Sequence, residues 1–184
     1  MTDAYRGKRA FDLLAAGTAC LVFAPLAATI ALATVIEDGG PAFFVQKRIG
    51  SERRTFEILK FRSMHDGTVT RVGRWLRRTG LDELPQFVNV YRGEMSLVGP
   101  RPLTAEDVQR LGWNGGEFDW RFSAKPGITG LSQLLGGRGV TASRRLDRLY
   151  LRRQDPLLDL QMVALSFVIN LVGKQRLRRL MRRA

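Results

Sequence analysis

The sequence contains one cysteine and one histidine in 184 residues. Cys20 has no second cysteine with which to form an intrachain disulfide, so nothing in the composition points to an oxidising compartment. Cys20 and His65 cannot together provide the four ligands of a structural zinc site. Any metal ion held by side chains would need oxygen ligands, which favours Mg²⁺ or a similar hard cation.

Acidic side chains are few compared with basic ones: 17 Asp and Glu stand against 30 Lys and Arg, so the net charge is +13. So basic a chain attracts polyanions, such as nucleic acid, anionic lipid headgroups or a phosphorylated substrate. A hydrophobic content of 45% with 26% charged residues is typical of a globular protein rather than a disordered one. The length fits one domain of ordinary size.

Charged side chains are absent altogether from residues 13–36. A straight helix of these 24 residues would be about 36 Å long, enough to cross the hydrocarbon core of a bilayer. The segment is compatible with a secretory signal peptide, a spanning helix, a re-entrant membrane helix or the core helix of a soluble protein. Pro25 near the midpoint would kink or break a helix, and both flanks are basic, which favours the cytoplasmic side for each. We therefore predict a re-entrant membrane helical hairpin over residues 1–36, broken at Pro25, and a cytoplasmic, membrane-associated domain over residues 37–184.

The remaining pattern predicts an α+β fold that is mostly helical. Two β-like stretches, residues 42–49 and 55–61, flank a turn and predict a small β-hairpin over about 42–61. Arginines and apolar residues alternate at helical spacing over residues 68–79, which suits either an interfacial amphipathic helix or the solvated face of a soluble one. The apolar residues 157–172 predict another helix. Six basic residues follow it, suited to nucleic acid or, beside so much apolar surface, to anionic lipid: Lys174, Arg176, Arg178, Arg179, Arg182 and Arg183.

Two adjacent carboxylates, Asp82 and Glu83, follow an arginine pair in the middle of the chain. Their structural interpretation is a short helix that reaches about Tyr91, with Asp82 as its N-cap, Glu83 in the first turn and Pro85 tolerated early. The alternative is a charged centre that performs chemistry. The residues alone favour the cap.

Glycine, proline and arginine are concentrated in residues 96–103, 124–133 and 136–139. Glycine permits close backbone approach and arginine offers fork-shaped donors, a combination suited to phosphate. None of these stretches matches a Walker loop or a dinucleotide-binding fingerprint.

Six motifs occur in a fixed order: KRAFD (8–12), GPAFFVQ (40–46), KFRSM (60–64), LDELPQ (81–86), SLVGPRP (96–102) and KPGITG (125–130). Together they resemble the bacterial sugar transferases, the monotopic phosphoglycosyl transferases that start assembly of exopolysaccharide, O-antigen, capsule or glycoprotein glycans. The resemblance extends from about Lys8 to Val172 and includes a compact catalytic core surrounded by interfacial amphipathic helices.

The resemblance implies a reaction in which a sugar 1-phosphate passes from a nucleotide diphosphate sugar, usually a UDP-sugar, to polyprenyl phosphate with release of UMP. It implies Asp82 as the nucleophile that forms a covalent phosphosugar intermediate, and Glu83 with Asp82 as ligands of Mg²⁺. A carboxylate is a known nucleophile towards phosphorus, and it needs cations against an anionic diphosphate. The basic residues that match motif positions, as candidates for phosphate contacts, are Lys60, Arg77, Arg101 and Arg138.

The same resemblance implies a place in the bacterial inner membrane, with the catalytic domain on the cytoplasmic face and anionic lipid around it. It implies no nucleic-acid partner and leaves a homodimer open. Two rival classes are a basic nucleic-acid-binding protein, whose affinity would fall steeply with salt, and a non-catalytic membrane-surface adaptor.

The chain departs from the family's usual pattern at several points. Ala24 precedes Pro25 where the family commonly has serine, Gly80 replaces a serine before the carboxylate pair, and the loop between Met64 and Thr70 is short. Neither Asp82 nor the residue after it is affected.

Overall fold

The computed structural model of the protein describes residues 4–135 and 139–172. It confirms a mostly helical α+β fold with three small two-stranded sheets among these residues. The helices are α1 Lys8–Asp38, α2 Arg71–Thr79, α3 Gln86–Arg92, α4 Ala105–Arg110, α5 Asp119–Phe122, α6 Leu131–Leu134, α7 Val140–Arg153 and α8 Pro156–Val172. The strands are β1 Phe43–Ile49, β2 Thr55–Phe61, β3 Met64–His65, β4 Thr68–Val69, β5 Ser96–Val98 and β6 Gly127–Thr129.

The apolar segment forms the long helix α1, which continues through Pro25. The division into two helices at Pro25 is therefore not found, although proline removes the amide that would bond the preceding turn. The hydroxyl of Thr29 donates to the carbonyl of Pro25 at 3.0 Å, inside the same helix. By length and hydropathy α1 could cross a membrane, and its course within a membrane stays a prediction.

One side of α1 packs against the domain. Near its start, Ala16 belongs to the main core cluster with Val90 and Met95, and further along Ile30 packs with Phe61 and Leu76. The other side leaves large apolar side chains exposed, which suits contact with lipid. These exposed side chains are Leu14, Leu21, Val22, Leu32, Val35 and Ile36.

Charged side chains near both ends of α1 hold the termini of neighbouring helices. Arg9 donates to the carbonyls of Val90 and Tyr91, at 2.7 and 2.9 Å, near the carboxyl end of α3. Glu37 accepts from the amides of Arg71 and Val72, at 2.6 and 3.0 Å, at the start of α2. A cation at a helix carboxyl end and an anion at an amino end both complement the helix dipole.

Two buried carboxylates attach α1 to the centre of the domain. Asp12 accepts from the hydroxyl of Ser96 and the amide of Leu97, both at 3.0 Å, and thereby fixes α1 to β5. Asp159 of α8 is completely buried.

Asp159 joins α1, α7 and α8. Its Oδ2 accepts from Lys8 Nζ at 2.6 Å and from the Tyr5 hydroxyl at 3.0 Å. Its Oδ1 accepts from the Tyr150 hydroxyl at 2.8 Å. Burial, followed by the negative charge of Asp159, raises the pKa of Tyr150 above its usual range, so this hydroxyl remains a donor.

The predicted hairpin is confirmed as the antiparallel pair β1 and β2, in a register that places Phe43 opposite Phe61. Two other motifs, far apart in sequence, meet as the parallel pair β5 and β6. A Cβ on Gly127 would lie 2.1 Å from the amide nitrogen of Gly99, so the close approach of these backbones requires glycine.

We expect Asp159→Asn to lower the free energy of unfolding by about 3–5 kcal/mol, because the largely buried ammonium of Lys8 would lose its counter-charge. Denaturant unfolding of the purified protein in detergent micelles measures this loss. The control is Glu52→Gln, which removes an exposed ion pair with Arg54 and should cost less than about 1 kcal/mol. Equal losses in the two variants would contradict a structural role for the buried pair.

Candidate active site

Asp82 and Glu83 lie in a single 3-10 turn, Leu81–Glu83, between α2 and α3. The prediction that Asp82 caps a helix is wrong. Gly80, with a φ of +75°, ends α2 and begins the turn, and Pro85 occupies the N-cap position of α3. The left-handed glycine reverses the chain two residues before Asp82, so Asp82 falls inside the turn rather than at a helix N-cap.

Gly80 also brings the turn close to α8. A Cβ at this position would lie 2.9 Å from Nδ2 of Asn170. The positive φ and this contact together favour glycine at this position.

Lys60 of β2 forms an ion pair with Glu83, with 2.9 Å between Nζ and Oε1. The buried Asn89 of α3 fixes β2 beside the turn: its Oδ1 accepts from the amide of Leu59 at 3.0 Å, and its Nδ2 donates to the carbonyl of Glu57 at 2.7 Å. Asn89 therefore positions the strand that carries Lys60.

Burial raises the pKa of the half-buried Asp82, and the negative charge of Glu83 raises it further. The positive charges of Lys60 and Arg77 act in the opposite direction. A carboxylate held in this way is stabilised by any additional cation and is less solvated than one on an open surface. Both properties are expected of a nucleophile that works beside metal ions or arginines.

A cleft opens beside the turn and brings together several of the predicted site residues. Lys60, Glu83 and Arg101 line it. Arg77 lies near enough to lower the pKa of Asp82, and Arg138 falls outside the described residues. The other polar side chains that line the cleft are Arg48, Gln86 and Gln133.

Arg101 follows the β5 segment and is held through its backbone. Its carbonyl accepts from Nη2 of the buried Arg121 at 2.7 Å, and Arg121 Nε donates to the buried Asp147 at 3.1 Å. The glycines of the two motifs allow the close contact between β5 and β6. Their composition had suggested a different use, the close approach of the backbone to a phosphate. Of the motif that contains β5, the basic side chain of Arg101 lines the cleft.

A magnesium ion at this site would take its protein ligands from side-chain oxygen atoms. The described residues contain no cluster of three His, Cys, Asp or Glu side chains. The adjacent carboxylates of Asp82 and Glu83 nevertheless fit Mg²⁺, which proteins commonly hold through one or two carboxylates with substrate phosphates and water completing the shell. Burial, followed by the negative charge of Glu83, raises the pKa of Asp82, and a bound cation would favour its ionised form.

The profile of the family described as "Bacterial sugar transferase" matches residues 3–173. The chain therefore belongs to this family.

Three relatives illustrate the match. The chain is 41% identical to an "Undecaprenyl-phosphate glucose phosphotransferase" of Komagataeibacter xylinus, over 86% of this chain and 35% of the relative. It is 44% identical to a "UDP-glucose:undecaprenyl-phosphate glucose-1-phosphate transferase" of Caulobacter vibrioides, over 77% and 58%. It is 37% identical to the "Exopolysaccharide production protein ExoY" of Rhizobium meliloti, over 85% and 81%. The match thus covers between a third and three fifths of the first two relatives and most of the third.

We expect Asp82→Asn to raise the thermal midpoint at about pH 7, by about 2–4 °C for each kcal/mol gained. The pKa of Asp82 is higher in the folded than in the unfolded protein, so its contribution to stability is present below the unfolded pKa and is lost as the pH rises through the folded one. The gain should therefore shrink towards about pH 4, near the ordinary pKa of aspartate.

Thermal unfolding at the two pH values checks this. Asp66→Asn, at a side chain that is 91% exposed, is the matched control and should show no such difference. An Asp82→Asn variant that gains nothing at neutral pH would contradict the burial argument.

Proposed function

We propose that the protein transfers a sugar 1-phosphate from a nucleotide diphosphate sugar, a UDP-sugar, to polyprenyl phosphate such as undecaprenyl phosphate. The observation that carries this proposal is the half-buried carboxylate of Asp82, raised in pKa beside a cleft lined by Lys60 and Arg101. The printed names of the Komagataeibacter and Caulobacter relatives, which refer to undecaprenyl phosphate and glucose phosphate transfer, support it.

The reaction proceeds in two steps at Asp82. In the first, an ionised carboxylate oxygen attacks the β-phosphorus of the donor, the bond from this phosphorus to the bridging oxygen breaks, and the bridging oxygen leaves with UMP. In the second, an oxygen of polyprenyl phosphate attacks the same phosphorus, which releases the carboxylate and forms polyprenyl diphosphate sugar. Only an ionised Asp82 can attack, so activity is lost as the pH falls through its raised pKa.

Cationic side chains hold the donor for this attack. Lys60 is fixed by Glu83 at one end of the cleft, beside the nucleophile, and supplies positive charge to the transferring group. Arg101, held through its own backbone, supplies a planar donor pair for phosphate oxygens. Mg²⁺ bound by Glu83 and Asp82 would supply further charge stabilisation to the phosphoryl oxygens.

The acceptor is a lipid, which requires the cleft to work at a membrane surface. Exposed apolar side chains on α1 and α8 provide the contact, those of α8 being Leu157, Leu160, Leu165, Phe167 and Val168. The proposed location is the bacterial inner membrane, with the catalytic domain on its cytoplasmic face and α1 re-entering on the same side.

Incubation with a UDP-sugar alone should add the mass of one phosphosugar to Asp82 and release UMP. Intact-mass analysis followed by peptide mapping measures the adduct, with a panel of UDP-sugars because the sugar is not fixed by these residues. Asp82→Asn should abolish both the adduct and turnover, whereas Asp66→Asn should keep both. A membrane adaptor would be indifferent to either change, so turnover by Asp82→Asn at the wild-type rate would exclude the proposed nucleophile.

Single cysteines placed at Ala4 and Glu117 in a Cys20→Ser background should both resist a membrane-impermeant maleimide until the cells are opened. The reason is that a re-entrant α1 keeps residue 4 and the catalytic domain on the same side of the membrane. Labelling of the Ala4→Cys protein in intact spheroplasts, with Glu117→Cys still protected, would instead establish a spanning helix.

A further inference from the structure

Arg48 is a polar residue of the cleft, although its position in the sequence gives no sign of this. It lies in β1, is mostly buried and lines the cleft with Lys60, Glu83 and Arg101. Its Nη1 donates to the carbonyl of Pro102 at 3.3 Å, and its Nη2 donates to Oε1 of Gln46 at 2.5 Å.

Part of the Arg48 guanidinium is unsatisfied. Its Nε is buried and has no hydrogen-bond partner within the described ranges, and the same holds for Oε1 of Gln133, which lines the same cleft. Buried donors and acceptors without partners are costly and uncommon, so each requires an explanation. A ligand with an acceptor oxygen would satisfy Arg48 Nε.

The positive charge of Arg48 is only partly compensated. Burial and the nearby positive charge of Arg101 lower the pKa of Arg48. The carboxylate paired with it among the described residues is Asp107, at 3.8 Å from Nη1, and Asp107 is also held by Arg110 at 2.6 Å. The negative charges of Asp107, Glu106 and Glu83 act in the opposite direction but do not offset burial and Arg101, so an added anion between the two repelling guanidinium groups is favoured.

The hairpin register separates two cationic side chains, Arg48 and Lys60, on one face. Arg48 lies opposite Phe56, and Lys60 lies opposite Phe44. These two cross-strand pairs are four residues apart, about 13 Å along the strand, and the pair that contains Ile58 lies between them. Long side chains at the two ends can lean towards each other onto neighbouring phosphates, so the cleft offers one cationic end beside Asp82 and a second at Arg48 and Arg101.

We propose that Arg48, together with Arg101, forms a second phosphate subsite that binds the phosphate retained by the leaving nucleoside monophosphate. This inference rests on the proposed function, because it assigns the β-phosphate to the end with Lys60 and Asp82. It makes Asp107 an internal competitor of the nucleotide phosphate for Arg48.

The test measures UMP binding to the full-length protein in detergent micelles by titration calorimetry, with uridine as a probe that lacks the phosphate. Arg48→Gln should weaken UMP binding by about tenfold or more, since a hydrogen bond to a charged group is lost, and should leave uridine binding unchanged. Arg48→Lys, which keeps the charge but loses the fork of donors, should fall between Arg48→Gln and the wild type. The control is Lys47→Gln, which removes one charge from an exposed position of the same strand and should change UMP affinity less than about twofold.

Asp107→Asn should act in the opposite direction and tighten UMP binding, because the competing charge is removed from Arg48. A purely structural role of Arg48 would not produce opposite effects from the two variants. Unchanged UMP affinity in Arg48→Gln would overturn the inference, and if that variant does not fold, unchanged affinity in both Arg48→Lys and Asp107→Asn would overturn it.

The two proposals can fail separately. A wild-type protein that forms the adduct and releases UMP, combined with Arg48 variants of normal UMP affinity, would reject the subsite alone. A wild-type protein that neither binds UMP nor releases it from any UDP-sugar would reject both.

Discussion

The attachment of α1 to the domain through two buried carboxylates is the constraint on which the rest of the structure depends. Asp12 holds β5, and Asp159 holds the start of α1 together with α7 and α8. A buried carboxylate costs several kcal/mol unless it is paired, so these contacts tolerate little displacement. Because Arg101 follows β5, the same contacts that fix the apolar helix also fix one wall of the cleft.

The cleft and the turn beside it hold two pairs of like charges, one pair of each sign. The carboxylates of Asp82 and Glu83 are adjacent and repel each other, while Arg48 and Arg101 do the same across the cleft. Neither group is fully neutralised within the described part of the chain, and each would be relieved by a ligand that carries both phosphate and a divalent cation.

The elements that could be predicted from sequence have strong local signals. Turn residues between two β-like stretches predicted the hairpin, and arginine spacing predicted α2.

Other features could not be predicted from local pattern. The prediction that Asp82 is an N-cap was wrong because Gly80, two residues earlier, ends α2 and begins the 3-10 turn. Arg48 was not singled out because the strand face that it shares with Lys60 is revealed only by the register. The pairing of Lys8 with Asp159 joins residues 151 positions apart, and no local pattern reports it. The catalytic role proposed for Asp82 rests on family motifs rather than on a local pattern.

The hydrogen bonds from the start of α2 to Glu37 have a mechanical consequence. The end of the apolar helix is coupled directly to the helix whose last residues precede the carboxylate pair. Sliding of α1 along its own axis would strain these bonds at one end and those of Arg9 at the other. Any displacement of α1 along its axis would therefore be transmitted through α2 to the turn that holds Asp82 and Glu83.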